Sequence, residues 1–296
     1  MALNGILLVD KQGGWTSHDV VAKARRLTGQ RKIGHTGTLD PMATGLLVLC
    51  LGSATRLVEY MVSHDKHYEG LIALGATTAT DDAEGEILAS RPVPVLSDER
   101  LRELERGFMG ELQQRPPAYS AVKVAGQRAY AVARRGGVPG LAERRVAVHD
   151  LRLEPAGPGL LSVRVHCGPG TYVRSLARDI GEAIGCGAHL AALRRTASGS
   201  FRVESAVTLQ ELETLAQAGL VEEVILAPDE GLAGSGAAIV TVERGQRLRH
   251  GVTLPPVARE SWPAAAARVY DAGGSFLGVT RVDESGRIWP LKMLPD

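Results

Sequence analysis

Cysteine is scarce in this chain and forms no pattern: Cys50, Cys167 and Cys186 are odd in number, far apart, and set in apolar or glycine-rich surroundings. That excludes a disulfide framework and a cysteine zinc-ligand set, and it points to a reducing, cytoplasmic compartment. Long apolar runs are missing too. None approaches the ~20 residues that cross a bilayer, so no membrane partner is expected. The opening MALNGILLVDKQGG lacks a basic segment, an apolar stretch and a cleavage site in order, so no signal peptide is read there. Neither sign of charge predominates, the net being +1, and no internal repeat or low-complexity tract appears. What remains, 44% apolar over 296 residues, is an ordinary globular composition with room for one large domain and a small one.

The most informative stretch is Gly34 to Gly52, GHTGTLDPMATGLLVLCLG. Its first half is dense in residues that set special backbone angles (Gly34, Gly37, Pro41, Gly45), with His35, three threonines and one carboxylate, Asp40, among them. Its second half, Leu46 to Leu51, is an unbroken apolar run, as a strand buried on both faces reads. A rigid loop carrying one acid thus runs straight into a core strand. Asp-Pro also suits an ordinary turn. Yet a carboxylate with no second acid within ten residues fits a nucleophile or a single general base. It does not fit a glycosidase pair or a clustered metal site, so no metal is expected.

Along the chain, Leu3–Asp10 reads as a strand. Ser17 is the expected cap of a helix that buries Val20, Val21, Ala24 and Leu27 and stops at Gly29. Ser53 to Val62 reads as helical, and Glu69–Leu74 as a strand led in by Lys66, His67 and Tyr68. Tyr68, one of few aromatics, is half-buried packing or a ring for a nucleobase to stack on. The acidic turn Thr80–Gly85 lacks calcium-loop spacing and reads as a solvated hairpin turn. Ser97 caps a helix bearing Leu101, Leu104 and Phe108. Two strands, Val146–Leu153 and Leu160–His166, precede a helix from about Tyr172 to Ile184, with Thr171 as a possible cap. Arg174 sits at the opening of that helix, where a cation is unfavourable, so it calls for a specific anionic partner. Thr208 and Glu211 form a capping box. Gly231–Gly236 reads as a linker, and the last sixty or so residues as a small β module with little helix signal.

Charge is local rather than global. From Arg115 to Asp150 there are seven Lys or Arg against two acids, with Tyr119 and Tyr130 among them. Basic side chains interleaved with aromatics can hold phosphates while stacking bases, so a polyanion docking on one side is expected.

Five blocks carry a resemblance. GHTGTLDPMATGLLVLCLG resembles the catalytic-loop signature of the TruB family of bacterial tRNA pseudouridine synthases, which act on uridine 55 of the T loop. LLVDKQGGWTSHDVVAKARR, DKHYEGLIALG, RPPAYSAVKVAGQRAY and GTYVRSLARDIGEAIGCGAHLAALRR match the same family in order, and the C-terminal sixty residues resemble its PUA module. Gln12 stands where the family usually has Pro, and Ala79 where it often has an acid. The resemblance implies an α+β fold: a mixed, largely antiparallel sheet flanked by helices, with a small C-terminal β-barrel. It implies a catalytic domain over 1–230 with a basic, thumb-like insertion at about 113–147, and an RNA-binding module over 237–296. It implies Asp40 as nucleophile, Tyr68 over the flipped base and available to the C5 proton, and Arg174 paired with Asp40. Tyr172 and Leu193 would line the uracil pocket, His35 would hold the T loop, and Lys11 would support the site.

On that reading the substrate is the T arm of tRNA, with no cofactor, no obligatory protein partner and a monomeric enzyme. Isomerising uridine oxidises nothing and hydrolyses nothing, so the chemistry asks for no redox group. Two other classes stand beside it: a tRNA-folding RNA chaperone whose catalysis is secondary, and a relative guided by a small RNA inside a protein complex. A metal hydrolase using His35 and Asp40 lacks a third ligand.

Overall fold

The computed structural model describes residues 3–120, 122–124, 126–255 and 266–295. Strand β1 (Gly5–Lys11) leads into helix α1 (Ser17–Thr28). The helix is capped by Thr16, not by Ser17 as the sequence suggested. The Thr16 side chain accepts from the Asp19 amide while Asp19 accepts from the Thr16 amide, and Gly29 closes the helix at φ 64°. Ser17 is buried for another reason: its hydroxyl donates to the Leu39 carbonyl at 3.1 Å and accepts from the Leu39 amide at 2.8 Å. The short strand β2 (Ile33–His35) and the long β3 (Thr44–Leu51) bracket the acid-bearing loop.

Strand β4 (Lys66–Leu74), helix α2 (Asp98–Gly107), strands β5 (Gly110–Gln114), β6 (Arg144–Gly157) and β7 (Leu160–Cys167), helix α3 (Val173–Ile184), strand β8 (Ala188–Ser198) and helix α4 (Leu209–Ala218) complete the larger part. Its strands form one mixed sheet in the order β1-β3-β8-β4-β7-β6-β5, with Val207–Thr208 outside β1 and β2 branching from β3. Neighbours are antiparallel except β3 with β8 and β1 with Val207–Thr208.

Alternation along the strands explains the two cores. Leu7, Val9, Leu47 and Leu49 face the helices and pack with Val20, Leu101, Leu176, Ile180 and Leu212. Ile6, Leu8, Leu46 and Val48 face the other way, onto Leu57, Met61 and Phe201. β1 from Ile6 to Val9 and β3 from Leu46 to Leu51 are therefore apolar without a break because both faces are covered there. Farther along, β4 and β7 turn Ile72, Val163 and Val165 to the helix side and His67, Glu69, Arg164 and His166 to the other.

The C-terminal part is a second sheet of β9 (Ala237–Val240), β10 (Ala267–Asp271), β11 (Phe276–Val282) and β12 (Ile288–Met293), in that order, with β9 and β10 parallel. Among the described residues it is an open four-stranded sheet rather than a closed barrel. Helix α5 (Val242–Arg249), which the sequence scarcely signalled, packs Leu248 into its small core. Val279 and Leu294 join the cluster behind β1 and β3, and Arg56 donates to the Met293 carbonyl at 2.7 Å. The Gly-rich stretch before it is anchored at its start, while Ala233, Gly234 and Gly236 are exposed. Gly231 and Leu232 are buried, and a Cβ on Gly231 would lie 2.3 Å from the Met61 sulfur. No described helix is long and apolar enough to cross a membrane.

Candidate active site

The loop from Thr36 to Ala43 is fixed by backbone bonds and by buried cations. The Thr36 amide donates to the Val48 carbonyl, the Ala43 amide to the Asp40 carbonyl, and the Gly14 amide to Pro41 at 2.9 Å. Lys11 is fully buried, and its ammonium donates to the carbonyls of Gln12, Trp15 and Pro41 at 3.0, 2.7 and 3.1 Å. All three of its protons are thus used to tie β1 to the loop. Burial pulls its pKa down to about 8, with Asp40 and Glu84 pulling the other way. Ser17 holds Leu39, the residue before the acid, by the two bonds described above.

Arg195 is the brace the sequence did not reveal. It lies opposite Tyr68 across β8 and β4 and is 2% exposed. Its guanidinium donates to the carbonyls of Leu46 at 2.7 Å and Gly37 at 3.1 Å, so it spans both ends of the loop. Its backbone also explains Gly45, which has φ 96°: a Cβ there would lie 2.3 Å from the Arg195 carbonyl oxygen.

Asp40 and Arg174, 134 positions apart, meet as expected. Nη2 of Arg174 donates to Asp40 Oδ1 at 2.9 Å, and Nε lies 2.9 Å from Oδ2. The guanidinium side chain is 4% exposed and the carboxylate 30%, so the cation is sealed behind the acid and the acid opens outward. Burial raises the Asp40 pKa above the ordinary carboxylate value; Arg174 opposes the rise and Asp82 adds to it.

Asp82 overturns the reading of Thr80–Gly85 as a solvated turn. It is 3% exposed, and its Oδ2 lies 3.3 Å from Arg174 Nη1, which also donates to the Thr80 carbonyl at 2.9 Å. Thr80 Oγ1 and the Glu84 amide donate to the other carboxylate oxygen. Next to it, Asp81 accepts from Arg178 at 2.8 Å. Arg174 in the first turn of the helix stands where its dipole is positive, Arg178 follows one turn on, and two adjacent acids answer them. That surplus of arginines is the signal that could have singled out the turn.

Tyr68 sits half-buried on β4, its hydroxyl in the field of Arg195 and Asp40. Burial raises the phenol pKa, with Arg195 opposing. Leu193 faces Gly70 two residues along the strands, and both border a hollow of about 400 Å³ that Met42, Thr44, Ala83 and Glu84 also line. Asp40 and Tyr68 do not line that hollow, although Met42 and Thr44 of the Asp40 loop and Glu69 and Gly70 of the Tyr68 strand do. Tyr172 is the residue before α3. Gln114 clamps its backbone, donating to its carbonyl at 3.1 Å and accepting from its amide at 2.8 Å, and the Arg144 guanidinium lies 4.6 Å over its ring. Thr171 does not cap the helix; it donates to the Gly168 carbonyl. His35 ends β2 opposite Leu49 and makes no hydrogen bond or ion pair with this group among the described residues. Its Nδ1 is buried without a partner, and burial lowers its pKa.

The basic insertion emerges between Gln114 and Arg144, which pair across β5 and β6. Its root reaches the site: the Tyr119 carbonyl accepts from Arg174 at 3.1 Å, and the Arg115 carbonyl from Ser175 at 2.8 Å. The three thiols are buried, burial pushing Cys50 up to about 12 and Cys167 up to about 11.

Known proteins resemble the chain over its full length. The N-terminal domain of TruB family pseudouridylate synthases matches residues 25–173. The C-terminal domain of tRNA pseudouridylate synthase B matches 174–233, and the C-terminal region of pseudouridine synthase II TruB matches 237–294. A tRNA pseudouridine synthase B of Xanthomonas campestris pv. campestris is 44% identical over 292 residues, covering 98% of this chain and 94% of that one. One of Dechloromonas aromatica is 44% identical over 294 residues, covering 99% and 96%. Among solved structures, an H/ACA RNP bound to a substrate RNA containing 2′-deoxyuridine superposes with TM-score 0.74 at 22% identity, over 99% of this chain and 85% of that one. An archaeal box H/ACA sRNP Nop10–Cbf5 complex gives TM-score 0.72 at 22% identity, over 98% and 86%. The likeness to these two is one of fold. The family model, the full-length relatives and the order of the motifs agree: the chain belongs to the TruB family of pseudouridylate synthases.

Proposed function

We propose that the protein converts uridine 55 in the T loop of tRNA to pseudouridine, with Asp40 as nucleophile. The observation that carries this reading is the two-point approach of Arg174 to Asp40 at 2.9 Å, with the cation sealed and the acid partly open, and with the Tyr68 phenol in the field of that acid. The reaction breaks N1–C1′, turns the uracil, joins C5 to C1′, and transfers the C5 proton out as N1 gains one. Atoms and electrons balance within the nucleoside. Asp40 attacks at C1′ or at C6, and either route needs the ionised carboxylate. Arg174 supports that form against desolvation.

The target base must leave its stack, which costs a few kcal/mol. An aromatic ring returns about 1–3 kcal/mol by stacking. Tyr68 supplies that ring. Burial raises its phenol pKa, which disfavours the phenolate and suits stacking and positioning. Leu193 and Tyr172 bound the base pocket, Lys11 stiffens the loop from beneath, and His35 meets the T loop beyond the site.

The larger sheet, over 1–230 with the insertion at about 113–147, is assigned to catalysis and T-arm grip, and 237–296 to further RNA contact. The protein works as a cytoplasmic monomer without an obligatory protein partner. Purified protein incubated with an unmodified tRNA transcript, without added metal or nucleotide, converts a single uridine, read by carbodiimide-blocked primer extension. Asp40→Asn converts none. Turnover by that variant, or conversion at a different uridine, overturns the assignment.

A further inference from the structure

On the sheet face turned away from Asp40, two imidazoles and a carboxylate converge. His149 Nε2 lies 3.4 Å from Asp65 Oδ1, and His166 Nε2 lies 3.6 Å from Asp65 Oδ2. One ligand atom from each of the three residues lies within 4.8 Å of the other two. The two histidine rings are 4.7 Å apart, tilted by 50°. In a tetrahedral zinc site with bonds of about 2.0–2.2 Å, neighbouring ligand atoms stand about 3.3–3.5 Å apart. Each imidazole nitrogen already stands near that distance from one of the two Asp65 oxygens.

The backbone brings these groups together by design of the strands rather than by drift of side chains. The β6–β7 register passes from Val148 opposite Cys167 to Asp150 opposite His166, leaving His149 as the extra residue of a bulge. Bulges re-aim side chains, and this one puts His149 beside His166. His67, opposite His166 on β4, stacks on its ring at 4.0 Å and 7°, which sets the plane of that ligand. The turn bearing Asp65 is held at both ends. The Gly199 amide donates to the Asp65 carbonyl at 2.9 Å, and Lys66 donates to the carbonyls of Val62 and His64.

We propose that Asp65, His149 and His166 form a binding site for a borderline divalent transition ion of the zinc class, with solvent as the fourth ligand. Imidazole with one carboxylate suits such ions and does not suit magnesium or calcium, which take oxygen ligands. The site clasps the turn before β4 to the β6–β7 hairpin. Its ion stands behind the strand that presents Tyr68, since His67 and Tyr68 alternate across β4. It takes no part in the isomerisation; its effect is to stiffen that strand.

The test uses untagged full-length protein stripped with a chelator and titrated with ZnCl2 by calorimetry, alongside thermal melts. One equivalent is expected to bind and to raise the melting midpoint by several degrees. MgCl2 at the same concentration gives no shift. His149→Gln and Asp65→Asn keep the metal-free midpoint and the tRNA turnover of the parent, and each weakens zinc binding at least about tenfold. Co²⁺ in place of zinc gives the visible bands of a tetrahedral site in the parent and not in the variants. No stoichiometric binding, or binding unchanged in both variants, overturns the proposal, as does a magnesium shift equal to that of zinc.

Discussion

Asp40 shows how one side chain is made reactive by what surrounds it. Its carboxylate is desolvated, which raises its pKa, while a guanidinium shared with Asp82 restrains the rise. Single-turnover rate should therefore increase with pH through a midpoint above the ~3.9 of a free aspartate. The sign follows from the proposed mechanism, in which only the ionised acid attacks, so acidification removes activity sooner than in an exposed Asp. A pH–rate profile on one transcript checks this, and a midpoint at or below the free value contradicts it. Arg174→Lys keeps the charge but loses the fork that spans both oxygens. It should lower the rate constant by about 10²-fold, the scale of losing one aligned donor in a protected site. Asp82→Asn leaves the Arg174–Asp40 contact but loosens its far side, so a smaller loss of about tenfold is expected in the same assay, with tRNA affinity unchanged. Equal losses in the two variants would mean that Asp82 does more than anchor the arginine.

At the scale of elements, the site is a meeting of a loop, a helix start and two strands, each held by bonds distant in sequence. Ser17 illustrates the cost of losing one. Its hydroxyl satisfies both backbone groups of Leu39 from α1. Ser17→Ala leaves a buried amide and carbonyl unpaired, a loss of about 1–3 kcal/mol. For a chain of this size that lowers the melting midpoint by several degrees. Because Leu39 precedes Asp40, the proposed nucleophile, turnover should fall together with stability, and calorimetry plus single-turnover kinetics will show whether both move. A sequence reading placed α1 and its end correctly but named Ser17 as the cap. The difference is one residue, and it separates a surface cap from a buried staple.

The whole molecule presents its chemistry and its charge on connected parts. The insertion between Gln114 and Arg144 is basic and sends a backbone carbonyl to Arg174, so the proposed RNA grip and the proposed catalytic arginine share a mount. Lys123 is exposed, and Arg134 stands 5.6 Å over the Tyr130 ring. If these side chains meet phosphates, Lys123→Gln with Arg134→Gln weakens tRNA binding. It also reduces the slope of log affinity against log salt by about 0.7–0.9 per lost contact. Filter binding over a salt series measures it, and an unchanged slope would place the RNA elsewhere.

The sequence by itself determined the strand at Leu46–Leu51, most helix bounds, the lone nucleophile candidate and the family, because periodicity, caps and ordered motifs are local properties of the chain. It also required an anion for Arg174, since a cation at a helix start is unfavourable alone. Only the tertiary structure decided that this anion is two carboxylates, that an acidic turn is sealed rather than solvated, and that Arg195 spans the loop. Asp40 and Arg174 are separated by 134 positions, and Gly37 and Arg195 by 158. No local pattern encodes such distances. They follow from which strands become neighbours when two apolar faces are buried at once.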